Sequence, residues 1–184
     1  MILTDRQIRE AQSRGEIALA PFEDRQVQPA SYDLRVGSEG VTTSTKKKIN
    51  IRDDGYLIVQ PGDFAVVLIY EELKLGPQHV ARFGLRSKYA RKGLVATTGL
   101  QIDPGYHGRL MVGITNLTPK AVTLAYKDDF LSAEFHRLEE PVKKPYCGPY
   151  QGRTELGPEE IEFITESEGM ALSEVLNTLR SLRA

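Results

Sequence analysis

Cysteine is nearly missing from this chain: Cys147 stands alone. One thiol excludes an intramolecular disulfide framework and a cysteine-cluster zinc site. Histidine is scarce as well. His79, His107 and His136 lie far apart and make no H-x-x-x-H pattern, so the usual helical zinc motif is absent. No apolar run approaches the roughly 18 residues of a membrane span. The opening Met1-Ile2-Leu3-Thr4-Asp5-Arg6 turns polar at once, unlike a secretory signal, and a cytoplasmic protein is the expectation. An excess of one charge is lacking too. The 24 Lys and Arg against 25 Asp and Glu leave a net charge of −1, which gives no general reason to expect a nucleic-acid polymer as partner.

The composition present is that of a globular protein, with 40% hydrophobic and 27% charged residues among 184. That length suits one domain, or one domain with a terminal appendage. Charge is segregated along it. Arg82, Arg86, Lys88, Arg91 and Lys92 fall in a stretch without acid from His79 to Ile102, whereas Thr154 to Leu179 holds seven Glu and no base. These are either solvated faces of opposite sign or, for the basic stretch, an anion site.

Thr4-Asp5-Arg6-Gln7 has the form of a capping box and predicts a short opening helix that stops near Gly15. Leu172, Val175, Leu176, Leu179 and Leu182 recur at helical spacing and predict a closing helix. Between them, residues 56–59, 64–70, 110–115, 122–126 and 130–135 are short runs rich in branched and aromatic residues. Turn signals such as Gln60-Pro61-Gly62-Asp63 and Asn116-Leu117-Thr118-Pro119 separate them. Many close strands without intervening helices predict a β-sandwich or barrel.

Four segments could carry chemistry. In Gln28-Pro29-Ala30-Ser31-Tyr32-Asp33-Leu34-Arg35-Val36-Gly37, Asp33 sits among apolar residues and needs a partner, because an unpaired buried carboxylate is costly. Pairing with Arg35 or another Arg is the structural reading. In Gly84-Leu85-Arg86-Ser87-Lys88-Tyr89-Ala90-Arg91-Lys92-Gly93, a helix would put Ser87, Lys88 and Arg91 on one face. Arg forks, a hydroxyl and a point charge suit a polyphosphate, and an exposed basic helix is the alternative. In Gly99-Leu100-Gln101-Ile102-Asp103-Pro104-Gly105-Tyr106-His107-Gly108, Asp103 is a candidate base or sugar-hydroxyl acceptor and Tyr106 a candidate sugar platform. Asp-Pro-Gly is also ordinary turn chemistry. Pro145-Tyr146-Cys147-Gly148-Pro149-Tyr150-Gln151-Gly152-Arg153 is irregular and reads as a flap or as a linker.

Together and in this order, the four segments resemble the dCTP deaminase/dUTPase superfamily. The opening through Gly37 resembles the start of a dCTP deaminase. Arg86-Ser87-Lys88-Tyr89-Ala90-Arg91-Lys92-Gly93-Leu94 resembles R-S-S-x-A-R-x-G-L, with Lys88 where a second Ser is usual. Ile102-Asp103-Pro104-Gly105-Tyr106-His107-Gly108 resembles the substrate hairpin I-D-P-G-[WYF]-x-G. Pro145-Tyr146 and Tyr150-Gln151-Gly152 resemble the closing segment. The likeness covers residues 1–153 and implies a mainly β fold, a distorted barrel or jelly roll with a short N-terminal helix. Residues 154–184 then form an acidic linker and a C-terminal amphipathic helix. It also implies a homotrimer with interfacial sites and dUTP or dCTP as substrate.

One departure bears on the reaction. Deaminases of this kind carry a Glu, their general base, in the strand after the hairpin glycine. Gly113 occupies that position here, in Gly108-Arg109-Leu110-Met111-Val112-Gly113. The dUTPases lack that Glu and keep the Asp that serves the attacking water, and Asp103 matches it. The Gly-rich phosphate-covering tail of ordinary dUTPases is missing. The resemblance therefore implies dUTP hydrolysis to dUMP and pyrophosphate, with Asp103, Arg86, Ser87 and Arg91 as the catalytic group. Lys88, Thr98, Gly99, Gln101, Tyr106, Gly108, Tyr146, Tyr150 and Gln151 would bind substrate. Mg²⁺ would bridge phosphate oxygens, with Asp33 as an outer-shell carboxylate. The alternatives are dCTP deamination with a base such as Glu134, a bifunctional enzyme, or a nucleotide sensor without turnover.

Overall fold

The computed structural model describes residues 1–166. Helix α1 (Asp5–Ser13) opens the chain. The Gln7 side chain returns to the Thr4 backbone N–H at 3.0 Å, and Gly15 takes the left-handed conformation just past the helix end, as capping rules require. Strands follow in quick succession: β1 (Ile17–Ala20), β2 (Val27–Gln28), β3 (Ser31–Thr42) and β4 (Ile49–Asn50). After the one-turn helix α2 (Ile51–Asp54) come β5 (Tyr56–Val59), β6 (Phe64–Ile69), β7 (Glu72–Leu75) and β8 (His79–Leu85). A second one-turn helix, α3 (Ser87–Ala90), leads into β9 (Leu94–Ala96), β10 (Gln101–Ile102) and β11 (His107–Gly108). The remaining elements are β12 (Met111–Asn116), β13 (Val122–Ala125), β14 (Asp129–Arg137) and helix α4 (Pro158–Glu166). The fold is mainly β, and no helix among the described residues is long and apolar enough to cross a membrane.

The largest sheet runs β10-β8-β14-β3-β6-β12-β9, with β2 and β4 also on β3; β1-β7-β11 and β13-β5 form smaller sheets. The long strand β3 makes the sheet curl. Tyr32 to Arg35 pair with β14, whereas Val36 to Thr42 pair with β6 across a register shift. Gly37 lies at this crossing. A Cβ there would stand 2.5 Å from the Leu68 carbonyl oxygen, so only glycine allows the two backbones to pass so closely. Leu34, Val36, Val67, Ile69, Val112, Ile114 and Phe135 meet in one core inside the curl.

That core encloses an ion pair. Arg35 is 1% exposed and Glu71 0%. Glu71 accepts from the Arg35 Nε at 2.6 Å and from its backbone N–H at 2.9 Å, and the guanidinium also reaches Glu23 at 2.5 Å. Arg35 lies 4.7 Å from the centroid of the Tyr70 ring.

Two sequence expectations change. The turn at 103–106 closes no hairpin: β10 pairs with β8, and β11 with β7, so it carries the chain from one sheet to another. The acidic stretch expected as linker contains α4. Pro158 starts it, Glu159 and Glu160 occupy its first turn, and both choices favour a helix N-terminus. The Leu-stripe helix expected at 172–182 lies outside the described residues.

Buried His79 gives the fold a pH dependence. It is 3% exposed, its Nε2 has no hydrogen-bond partner, and Glu16 stands 3.8 Å away. Burial lowers its pKa from 6.5; Glu16 raises it, and Arg137 and Arg14 lower it further. Below pH 6.5 the unfolded chain binds a proton that the folded imidazole still refuses, so stability falls as pH drops through that window. The melting temperature of wild type should therefore decline more steeply below pH 6.5 than that of His79→Phe. Equal slopes would exclude His79 as the cause.

Candidate active site

A cleft of about 910 Å³ opens beside the 103–106 turn. Pro104 and Gly105 occupy the turn's centre, Gly105 has φ +88°, and the Tyr106 N–H reaches the Asp103 carbonyl at 3.1 Å. This is type II geometry, which needs glycine at its third position. The turn delivers Asp103, exposed, to the cleft, and Gln101 Nε2 donates to its carboxylate at 2.8 Å. Tyr106 is buried alongside it. Its ring packs on Tyr146 with centroids 5.8 Å apart, and its hydroxyl donates to the Arg109 carbonyl at 3.0 Å. Burial pushes the phenol pKa well up, with Tyr146 adding to the shift, so the hydroxyl stays neutral at physiological pH.

Thr98, Gly99 and Gln101 line the same cleft, and Gly113 lies in its wall. The Thr98 hydroxyl accepts from the Gly113 N–H at 2.5 Å, which pins the 97–101 segment to β12. A Cβ on Gly113 would meet Thr97 Oγ1 at 2.7 Å and the Phe64 ring at 3.0 Å. The place of a side chain at 113 is thus already filled.

The closing segment straps itself along the turn of its own chain. Tyr146 N–H donates to Pro104, Gly152 N–H to His107 and Arg109 N–H to Arg153, each at 2.8 Å. Gln151 braces the strap, donating to the Gly105 carbonyl at 2.9 Å and accepting from the His107 N–H at 3.1 Å. Tyr146 and Tyr150 line the cleft; Gln151 and Gly108 do not. Gly108 (φ +136°) instead gives the strap room, since a Cβ there would lie 2.7 Å from the Arg153 carbonyl oxygen.

The basic residues gather elsewhere. Arg86, Ser87 and Lys88 line a second cavity of about 390 Å³ with Asp33, Asp128 and Asp129, and no residue lines both cavities. The Arg86 guanidinium is in contact with the Asp33 carboxylate, so Asp33 takes Arg86, and not Arg35, as its cation. Lys88 Nζ sits 2.5 Å from Asp128, to which the Tyr89 hydroxyl donates at 2.6 Å. Burial alone would raise the Asp128 pKa, but these two donors outweigh it and hold it low. Arg91, at the end of α3, is exposed and lines neither cavity. Glu134 lies 3.1 Å from His136 and lines neither cavity.

The described residues contain no cluster of three or more ligating side chains suited to a metal ion. Asp33 faces Arg86, Asp128 faces Lys88, and Asp129 accepts from Gln26 at 2.7 Å. This donor set does not fit an ion held by the protein alone.

Among the charged residues that line the larger cleft, sequence reasoning missed three, Arg109, Glu159 and Glu160. The helix-start signal Gly157-Pro158-Glu159-Glu160 was legible, but its docking against residues more than forty positions upstream was not.

The curled antiparallel sheet, the turn-borne Asp and the separate Arg-Ser-Lys set agree with the resemblance to the dCTP deaminase/dUTPase superfamily, and comparison with known proteins shows the membership. Within it, the chain belongs to the dCTP deaminase-like family, whose model matches residues 2–128. A relative named dCTP deaminase from Thermococcus sibiricus is 40% identical over 156 residues, covering 85% of this chain and 95% of its own. Another, named dCTP deaminase, dUMP-forming, from Methanothermobacter thermautotrophicus, is 33% identical over 85% of this chain and 89% of its own. In fold the chain is similar to the EIAV dUTPase, with TM-score 0.51 and 17% identity over 72% of this chain and 98% of that one.

Proposed function

We propose that the chain hydrolyses dUTP to dUMP and pyrophosphate. The observation that carries this reading is Gly113. The strand position that would present a deaminating carboxylate has no side chain, and Thr97 and Phe64 fill the room for one. Asp103, by contrast, is exposed in the cleft. It takes a proton from water as the water oxygen bonds to the α-phosphorus. The bond from that phosphorus to the α–β bridging oxygen breaks, and pyrophosphate departs with the electron pair.

The other parts follow from their chemistry. Tyr106, held by Tyr146, packs on the deoxyribose, and backbone of residues 98–104 reads the pyrimidine edge. Tyr146, Tyr150 and Gln151 belong to the closing segment, Gln151 by bracing it. Arg86, Ser87 and Arg91, with Lys88, hold the triphosphate and offset charge that develops on it. That no residue lines both cavities supports a phosphate set supplied by a neighbouring protomer of a homotrimer. Asp33 steadies Arg86, and Mg²⁺, held mainly by the triphosphate itself, would offset part of its charge.

Product analysis with dUTP, dCTP and dTTP side by side, with Mg²⁺, tests the reading. Pyrophosphate and dUMP from dUTP are the expected products. No pyrophosphate from any of the three would overturn it, and tight binding without product would make the chain a nucleotide sensor. The names of the two relatives favour a second reading, dCTP deamination, and ammonia released from dCTP would decide for it. Gly113→Glu should not create deaminase activity. Its Cβ must displace Thr97 or Phe64, an overpacking that costs about 1–3 kcal/mol. Ammonia release by this variant with undiminished thermal stability would contradict the steric argument.

A further inference from the structure

The acidic tail stands against a cleft assigned to a polyanion. Leu156 and Ile164 are buried with Val41 and Val66, and Phe64 and Met111 pack against them, so α4 is seated on the sheet. Its first turn brings Glu159 and Glu160 to the wall of the cleft that holds Asp103. Carboxylates lining a triphosphate site repel the substrate unless a cation compensates them.

Arg153 meets that need. Its Nη1 donates to Glu160 at 2.6 Å and its Nη2 to Glu159 at 2.7 Å. The same guanidinium donates from Nε to the Pro149 carbonyl at 3.0 Å and lies 5.6 Å from the Tyr150 ring centroid. Glu160 is further fixed by the Gly157 N–H at 2.8 Å. One side chain thus joins the closing segment to α4 and offsets both acids.

We propose that Arg153 is a positioning residue whose charge lets the chain's own acidic helix serve as a wall of its nucleotide site. This rests on the reading that the cleft takes a nucleoside triphosphate. Arg153→Ala should raise KM for dUTP about tenfold with kcat within about twofold, the pattern of lost uniform binding. Because the cause is repulsion by two uncovered carboxylates, Glu159→Gln with Glu160→Gln in the Arg153→Ala background should bring KM back to within about threefold of wild type. The Arg153→Ala defect should also shrink as ionic strength rises from about 0.05 to 0.3 M, since salt screens such repulsion. Arg153→Lys keeps the charge and should stay close to wild type. If Arg153→Ala melts early, Arg153→Met, which keeps the apolar stem and drops the charge, takes its place with the same expected rise in KM. An unchanged KM in Arg153→Ala overturns the proposal. So does a defect that neither the Gln pair nor salt relieves, because Arg153 would then be only a structural tie. A wild-type chain that neither binds nor turns over dUTP, dCTP or dTTP sinks the functional reading itself. An active wild type with an unaffected Arg153→Ala sinks only the role of Arg153.

Discussion

Asp103→Asn should lower the rate of pyrophosphate release from dUTP by about 10²–10⁴-fold, the usual contribution of a positioned base. That corresponds to about 3–5 kcal/mol of barrier. The substitution isolates basicity from geometry. Asn keeps an oxygen to accept from Gln101, whose amide stands 2.8 Å from the Asp103 carboxylate. The turn itself is held by backbone: Tyr106 N–H to Asp103, Gly105 N–H to Leu75 and Tyr146 N–H to Pro104. None of these bonds uses the carboxylate, so the cleft keeps its shape. Calorimetry with a non-hydrolysable dUTP analogue should then give a Kd within about threefold of wild type, because the ground state loses no contact. A fully active Asn variant would refute the role given to Asp103. Equal loss of binding and turnover would mean that the residue holds the nucleotide and leaves the water alone.

The strands of this fold that alternate or run apolar were legible in the sequence. β5, β6, β12, β13 and β14 lie within a residue or two of their expected bounds. β8 was not: its burial alternates from His79 to Phe83, but a His, an Arg and a Gly among seven residues dilute the apolar signal, and β10 and β14 pair it on either side. β3 was visible only in part. Its Asp33, Arg35 and Glu39 break the pattern of a buried strand, and their partners Arg86, Glu71 and the Leu156 N–H lie far along the chain. The site shows the same limit. Asp103, Tyr106 and Tyr146 could be named from motif chemistry, and they do meet in one cleft. That Arg86 and Lys88 line a separate cavity, and that Glu159 and Glu160 join Asp103, are facts of tertiary placement that no local spacing encodes.

Glu71→Ala should be strongly destabilising, costing about 3–5 kcal/mol, because it breaks a buried pair and leaves one charge behind. For a domain of this size that lowers the melting temperature by roughly 6–20 °C. The loss is large because Glu71 satisfies two donors of Arg35, the Nε and the backbone N–H. Without it the backbone group has no acceptor at the point where β3 leaves β14 for β6. Glu23 still meets the guanidinium, but it is partly exposed and reaches a different nitrogen. Burial raises the Glu71 carboxyl pKa, and the Arg35 hydrogen bonds lower it and offset part of that rise. A buried pair gains little over apolar residues of similar volume, because desolvation offsets the attraction, even though its rupture is expensive. Replacing both partners, Arg35→Met with Glu71→Leu, should consequently melt well above Glu71→Ala. Thermal unfolding of the three proteins measures this. If Glu71→Ala loses less than about 1 kcal/mol, as an exposed pair would, the ion pair does not hold β3 at its crossing, and the curl of the sheet rests on Gly37 and the apolar core alone.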